Sequence, residues 1–180
     1  STLRWSKSSP RFWRNTSVIA AVSRDSGRMK TIIGIALILI ISGAAFAKET
    51  IMPEKKVVYK TIDNTVLALH VFNPKGHKLT DKRPAIVFFF GGGWMGGNPK
   101  QFYQQAKSFA ALGFVAMSAE YRVIGKHKTT PFECVQDGKS AVRWIRQHAA
   151  ELGVDPDRIV AAGGSAGGHV AACIGVIQGH

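Results

Sequence analysis

A serine set among glycines, Gly163-Gly164-Ser165-Ala166-Gly167-Gly168, follows directly on the apolar run Arg158-Ile159-Val160-Ala161-Ala162 and leads into a helix-forming stretch. The Gly-x-Ser-x-Gly spacing is that of a nucleophile elbow. In such an elbow the serine occupies a strained strand-to-helix turn, and glycines two residues to either side remove Cβ atoms that would collide with neighbouring chain. A hydroxyl lifted out at such a turn can attack an acyl carbon. Taken alone, the five residues describe a plain strand–helix loop equally well. A second cluster, Gly91-Gly92-Gly93-Trp94-Met95-Gly96-Gly97-Asn98, follows a run that is apolar at every position, Ala85 to Phe90. Consecutive glycines leave backbone N–H groups uncovered and able to converge on one oxyanion. A flexible loop or a phosphate cradle competes with that reading. However, the Gly-Lys-Ser/Thr ending of a P-loop is absent, and no dinucleotide fingerprint opens a helix here.

The elements that must hold these clusters can be read from periodicity. Lys56–Ile62 and Thr65–Phe72 are β-rich runs around Asp63-Asn64 and predict a hairpin. Alternation in the second run puts Leu67, Leu69 and Val71 toward a core and His70 on the less apolar side, as a surface or hydrogen-bonded structural histidine. Ala85–Phe90 reads as a central strand covered on both faces. Pro99 to Leu112 reads as a helix ended by Gly113, and Phe114–Ala119 as a further strand running into Glu120-Tyr121-Arg122. Thr130-Pro131 opens a long helix that ends near Gly153, with Val135, Ala141, Val142, Ile145 and Ala149 on one stripe and Asp137 read as surface. Asp155-Pro156-Asp157 predicts a turn before the serine strand. Strand and helix alternating in this order predict an α/β fold with a mainly parallel sheet and the first two strands as an antiparallel edge.

The ends of the chain read differently. Of 180 residues with a net charge of +13, residues 1–47 hold seven Lys/Arg against Asp25 alone, so nearly half of the excess lies there. No basic cluster interleaved with aromatics occurs elsewhere, so scattered solvated lysines explain the charge and no nucleic-acid partner is expected. Met29-Lys30, the apolar run Thr31–Ile41 and the small-residue sequence Ala45-Phe46-Ala47 have the three parts of a signal peptide, residues 29–47, cleaved to leave Lys48 first. The apolar run is shorter than the ~20 residues a spanning helix needs, which makes export the expectation and a signal-anchored membrane protein the alternative. Residues 1–28 read as a translated upstream region with no fold, and 48–180 as the folded part. Cys134 and Cys173 read as two separate buried thiols.

Three motifs in order then carry a resemblance: Phe90-Gly91-Gly92-Gly93-Trp94, Glu120-Tyr121-Arg122, and Gly163-Gly164-Ser165-Ala166-Gly167-Gly168. Over about residues 56–178 the chain is similar to α/β-hydrolase serine esterases, in particular the hormone-sensitive-lipase-like and the bifunctional feruloyl and acetyl xylan esterase-like groups. The resemblance implies a three-layer sandwich, Ser165 as nucleophile, and the backbone N–H groups of Gly92, Gly93 and Ala166 as oxyanion hole. Such enzymes have His-Gly-Gly-Gly in the loop where this chain has Phe90, which leaves the glycine donors untouched. Trp94 is either a pocket wall or loop packing. Glu120 and Arg122 resemble a structural ion pair below the site.

In the family the remaining triad members, an Asp or Glu and then a His, follow the serine in chain order. The chain as given reads as the N-terminal part of such a domain, stopping after the elbow helix, and His169 has no acid nearby in sequence to make it a base. The expected activity is hydrolysis of carboxylic esters, small acyl or acetyl esters including acetylated carbohydrate, through an acyl-enzyme and without cofactor or metal. Two alternatives stay open at this point: a prolyl-oligopeptidase-like peptidase, against which no propeller precedes the hydrolase strands, and a non-catalytic binding protein on the same scaffold.

Overall fold

The computed structural model describes residues 50–177. The segments read as an upstream region (1–28) and a signal peptide (29–47) lie outside them. Chain order within the described residues is β1 (Lys55–Ile62), β2 (Thr65–Phe72), β3 (Arg83–Phe89), a 3-10 turn (Pro99–Phe102), α1 (Tyr103–Ala111), β4 (Val115–Ala119), α2 (Ile124–His127), α3 (Pro131–Gln147), α4 (Ala149–Leu152), β5 (Val154–Gly163) and α5 (Ala166–Val176).

The five strands form one sheet in the order β1-β2-β4-β3-β5. β1 and β2 pair antiparallel across the Asp63-Asn64 turn, and β2 pairs antiparallel with β4. β3 runs parallel to both neighbours, Ala85–Phe89 lying against Val115–Ala119 on one side and Ile159–Gly163 on the other. Because side chains alternate across a strand, β3 feeds two cores. Ala85, Val87 and Phe89 join Cys134, Ala141, Ile145 and Val170 from α3 and α5. Ile86 and Phe88 join Tyr103, Ala106 and Ala110 on the α1 side. Two helical layers around a mainly parallel sheet match the α/β fold expected from the order of elements and the three-layer sandwich that the resemblance implies.

Local chemistry explains the main boundaries. Thr130 and Glu133 make a capping box at the start of α3, with Pro131 in the first turn where a missing N–H costs nothing. The opening helix expected from Pro99 begins as a 3-10 turn, with the Asn98 side chain accepting from the Lys100 N–H.

Of the two readings of His70, surface or hydrogen-bonded structural, the second holds: it is 3 % exposed and bonded to Tyr103, with Phe72 buried on the same α1 side. Three expectations need correction. Asp155-Pro156-Asp157 does not precede the serine strand but bulges within it. Arg83 pairs with Val154 and Ala85 with Ile159, so five steps along β5 match two along β3, and a bulge is a place where a strand accepts proline. Glu120 and Arg122, beyond the end of β4 at Ala119, do not pair with each other but take separate partners. Glu120 Oε1 lies 3.0 Å from His70 Nε2, while Arg122 Nε and Nη2 donate to Asp137 at 2.8 and 3.0 Å. Asp137, read as surface, is fully buried and also accepts from Lys60 Nζ at 2.6 Å and from the Arg122 backbone N–H. A buried carboxylate is tolerated when its lone pairs are this fully satisfied. The contact with Asp137 also pushes the Arg122 guanidinium's pKa further up. The two cysteines are free, Cys134 buried and Cys173 half-buried. Burial raises the Cys134 thiol to about 11.

Candidate active site

β3 and β5 run parallel, so both deliver their C-terminal ends to the same edge of the sheet, with the glycine loop after one and Ser165 after the other. Ser165 has φ +52 and ψ −120 between the end of β5 and the first residue of α5. A non-glycine residue at positive φ costs about 1–3 kcal/mol and persists only where its surroundings impose it. Those surroundings are tight on both sides. A Cβ on Gly163 would stand 2.5 Å from the Gly167 carbonyl carbon and 2.6 Å from the Phe89 carbonyl oxygen, and one on Gly167 would strike the Phe89 carbonyl. Both flanking glycines are therefore required by close approach, as the spacing implied.

The loop beyond β3 lies against the elbow. A Cβ on Gly91 would stand 2.8 Å from the Gly164 carbonyl oxygen and 3.4 Å from Ser165 Cβ. Ser165 is exposed and shares an open cleft of ≈ 400 Å³ with Gly91, Gly92, Gln101, Phe102, Gln105 and Gly164. Among the described residues no protein group accepts from the N–H groups of Gly92, Gly93 or Ala166. Ala166 opens α5, whose N-terminal end favours negative charge. The serine, the glycine amides and a helix N-terminus thus meet at one sheet edge, an arrangement able to stabilise an oxyanion formed on attack by Oγ.

Trp94 is not among the residues lining that cleft. Its ring meets His169 edge-on at 5.4 Å and 89°, and it packs against the larger core. Phe90 stacks on Tyr121 at 4.2 Å, and the Tyr121 hydroxyl donates to the Phe90 carbonyl at 2.6 Å. Burial raises that phenol's pKa well above the usual range, so it stays a donor. Segment 123–125 holds the far side of the loop, Ile124 N–H donating to Trp94 O at 2.8 Å and Gly125 N–H to Met95 O at 2.9 Å.

A proton acceptor for Ser165 does not emerge from the described residues. His169 is exposed on α5, with Nε2 3.5 Å from Cys173 Sγ, and no carboxylate bonds to it. His70 does carry an acid, Glu120, but its Nδ1 is taken by Tyr103 Oη at 2.5 Å, so both ring nitrogens are committed inside the fold. The His70 hydrogen bond holds the Glu120 carboxyl below its usual range, and burial raises the Tyr103 phenol. Among the described residues, no group of three or more His, Cys, Asp or Glu converges as a metal site. No helix there is long and apolar enough to cross a membrane.

Comparison with known proteins matches residues 69–180 to the family model described as BD-FAE. Carboxylesterase NlhH of Mycobacterium tuberculosis is 32% identical over 127 residues, 68% of this chain and 38% of that protein. Among solved structures, the esterase Est2 of Thermogutta terrifontis aligns with TM-score 0.66 at 58% identity, covering 66% of this chain and 42% of its own. The same esterase has been solved bound to propionate, bound to butyrate and phosphorylated by paraoxon. The chain spans less than half the length of these relatives.

Proposed function

Because the chain belongs to the BD-FAE family, we propose that it carries the nucleophile and oxyanion half of a serine hydrolase that cleaves carboxylic esters through an acyl-enzyme. The observation that carries this reading is Ser165, held at φ +52 beside a glycine loop whose Gly92 and Gly93 amides have no protein acceptor among the described residues. Ser165 Oγ attacks the ester carbonyl and passes its proton to an imidazole contributed, with its orienting acid, from outside residues 50–177 of the full-length polypeptide. The carbonyl oxygen becomes an oxyanion facing the N–H groups of Gly92, Gly93 and Ala166. Collapse expels the alcohol with that proton and leaves the acyl group on Oγ, from which water removes it by the reverse sequence.

The substrates are small. The Est2 structures with propionate and butyrate support short acyl chains, and acetylated carbohydrate fits the same class on the alcohol side. The test is covalent. Treatment of the full-length protein with paraoxon should form a bond between Ser165 Oγ and phosphorus, expel 4-nitrophenolate, and add one diethylphosphoryl group to the peptide containing Ser165. The Ser165→Ala variant should gain none, and labelling at another residue would reject the assignment.

Export by a cleaved signal peptide completes the reading, motivated by the basic start, apolar run and Ala45-Phe46-Ala47 of residues 29–47. N-terminal sequencing of the exported product should begin at Lys48. Recovery of uncleaved protein in the membrane fraction would favour the signal-anchored form.

A further inference from the structure

The glycine loop is tied down firmly at both margins. The Tyr121 hydroxyl holds the Phe90 carbonyl, the N–H groups of Ile124 and Gly125 hold the Trp94 and Met95 carbonyls, and Ser118 Oγ donates to Pro99 O at 2.8 Å. Between these margins lie Gly91, Gly92 and Gly93, with no side chains of their own to anchor them. Within this stretch one N–H is engaged by a side chain: Gly91 N–H donates to Gln101 Oε1 at 2.6 Å. Gln101 sits in the 3-10 turn Pro99–Phe102, at the far end of the same loop, and is itself exposed in the cleft beside Ser165. Its carbonyl oxygen therefore closes the loop across ten residues onto the N–H side of the Phe90–Gly91 peptide, whose carbonyl side Tyr121 holds, and this is the backbone unit that precedes the oxyanion donors.

We propose that Gln101 is a positioning residue for ester hydrolysis, its side-chain oxygen fixing the Gly91 peptide so that the Gly92 and Gly93 amides face the oxyanion formed at Ser165. The inference rests on the reading of Ser165 and these amides given above. Its physical basis is the fit between loop and elbow: Gly91 packs against the Gly164 carbonyl and Ser165 Cβ, so that any rotation of the Gly91 peptide shifts the following amides relative to Oγ. Hydrogen bonds that strengthen only as charge develops are sensitive to displacements of this size, and a misplacement of about 1 Å can cost about 100-fold. Gln101 acts through the backbone and need not touch the substrate, so its loss should fall on turnover rather than on binding.

The experiment compares Gln101→Leu, which keeps bulk and removes the acceptor, with Gln101→Glu, which keeps an acceptor in the same place. Both are made in the full-length protein. In Gln101→Leu, kcat for 4-nitrophenyl butyrate should fall about 10- to 100-fold with KM within about twofold, less than the loss of a whole oxyanion donor. Affinity for a trifluoromethyl ketone should fall in the same proportion. That ketone reports the hole directly, because Oγ bonds to its carbonyl carbon and the carbonyl oxygen becomes a stable oxyanion. Gln101→Glu should recover kcat to within about fivefold of the parent, the remainder reflecting a solvated negative charge near the oxyanion. Unchanged kcat and ketone affinity in Gln101→Leu, a loss confined to KM, or a Glu variant no better than Leu would each overturn the proposal. Ser165→Ala measured alongside separates the two readings. Retained turnover there would refute the nucleophile, whereas its loss together with an indifferent Gln101→Leu would remove only the positioning role.

Discussion

Gly92→Ala should lower kcat of the full-length protein by about two to three orders of magnitude, the usual cost of an oxyanion donor, while Gly93→Ala should stay within about tenfold of the parent. The two positions are adjacent and both exposed, and the same methyl group is added to each. What differs is the room around them. Gly92 has φ +140, a conformation essentially reserved for glycine, and a Cβ there would strike the Gly96 carbonyl, which belongs to the turn closed by Met95 and Gly96 N–H on Gly92 O. Any side chain must therefore open the turn and move the amides out of line. Gly93 has φ +60 with open space where its Cβ would be, so alanine keeps the N–H in place at the modest expense of a left-handed backbone. Steady-state kinetics with 4-nitrophenyl butyrate decide the matter, with melting midpoints showing that neither exposed change unfolds the core. Equal rates for Gly92→Ala and the parent would mean that these amides do not face the reaction.

The contrast between Gly92 and Gly93 also marks where sequence reading stops. That glycines flank Ser165 is legible from the Gly-x-Ser-x-Gly spacing, although the chain that they make room for is partly β3, which the spacing does not name. Gly163 and Gly167 both stand against the Phe89 carbonyl. The central place of β3 was similarly legible, since a strand apolar at every position must be covered on both faces. Asp137 was not. Helical periodicity separates polar from apolar positions, but nothing periodic announces that Lys60 and Arg122, 77 and 15 residues away, converge on one carboxylate. His70 was legible only as one of two readings, surface or hydrogen-bonded structural: its face of β2 is mixed in polarity, and only the position of α1 over the sheet selects the second by burying it against Tyr103. Gln101 escapes notice entirely, because a side chain bonding to a backbone N–H ten residues earlier leaves no pattern in composition or period. Groups whose role depends on a long-range partner become visible only once the fold is in place.

That limit bears most heavily on the proton acceptor, and there the expected effect is largest. The polypeptide of residues 1–180, expressed alone, should hydrolyse 4-nitrophenyl acetate no faster than its own Ser165→Ala variant, whereas the full-length protein should exceed its Ser165→Ala variant by about 10⁴-fold or more. A serine hydroxyl at neutral pH is a poor nucleophile until an oriented imidazole takes its proton. Within residues 50–177 the elbow, the amides and the helix N-terminus are assembled, yet neither His70 nor His169 meets the requirements of the base. His70 is locked between Tyr103 and Glu120, and His169 meets Trp94 and Cys173 with no acid to set its tautomer. An oxyanion hole without a base retains some transition-state stabilisation, but it acts on a reaction that the serine cannot begin. The comparison is made on material that melts cooperatively, so that a missing rate reports missing chemistry rather than a missing fold. Robust Ser165-dependent turnover by residues 1–180 would overturn this account and place a working base inside them. His169→Gln would then be the first variant to make, since its loss of activity would identify an imidazole one helical turn beyond the nucleophile as the acceptor.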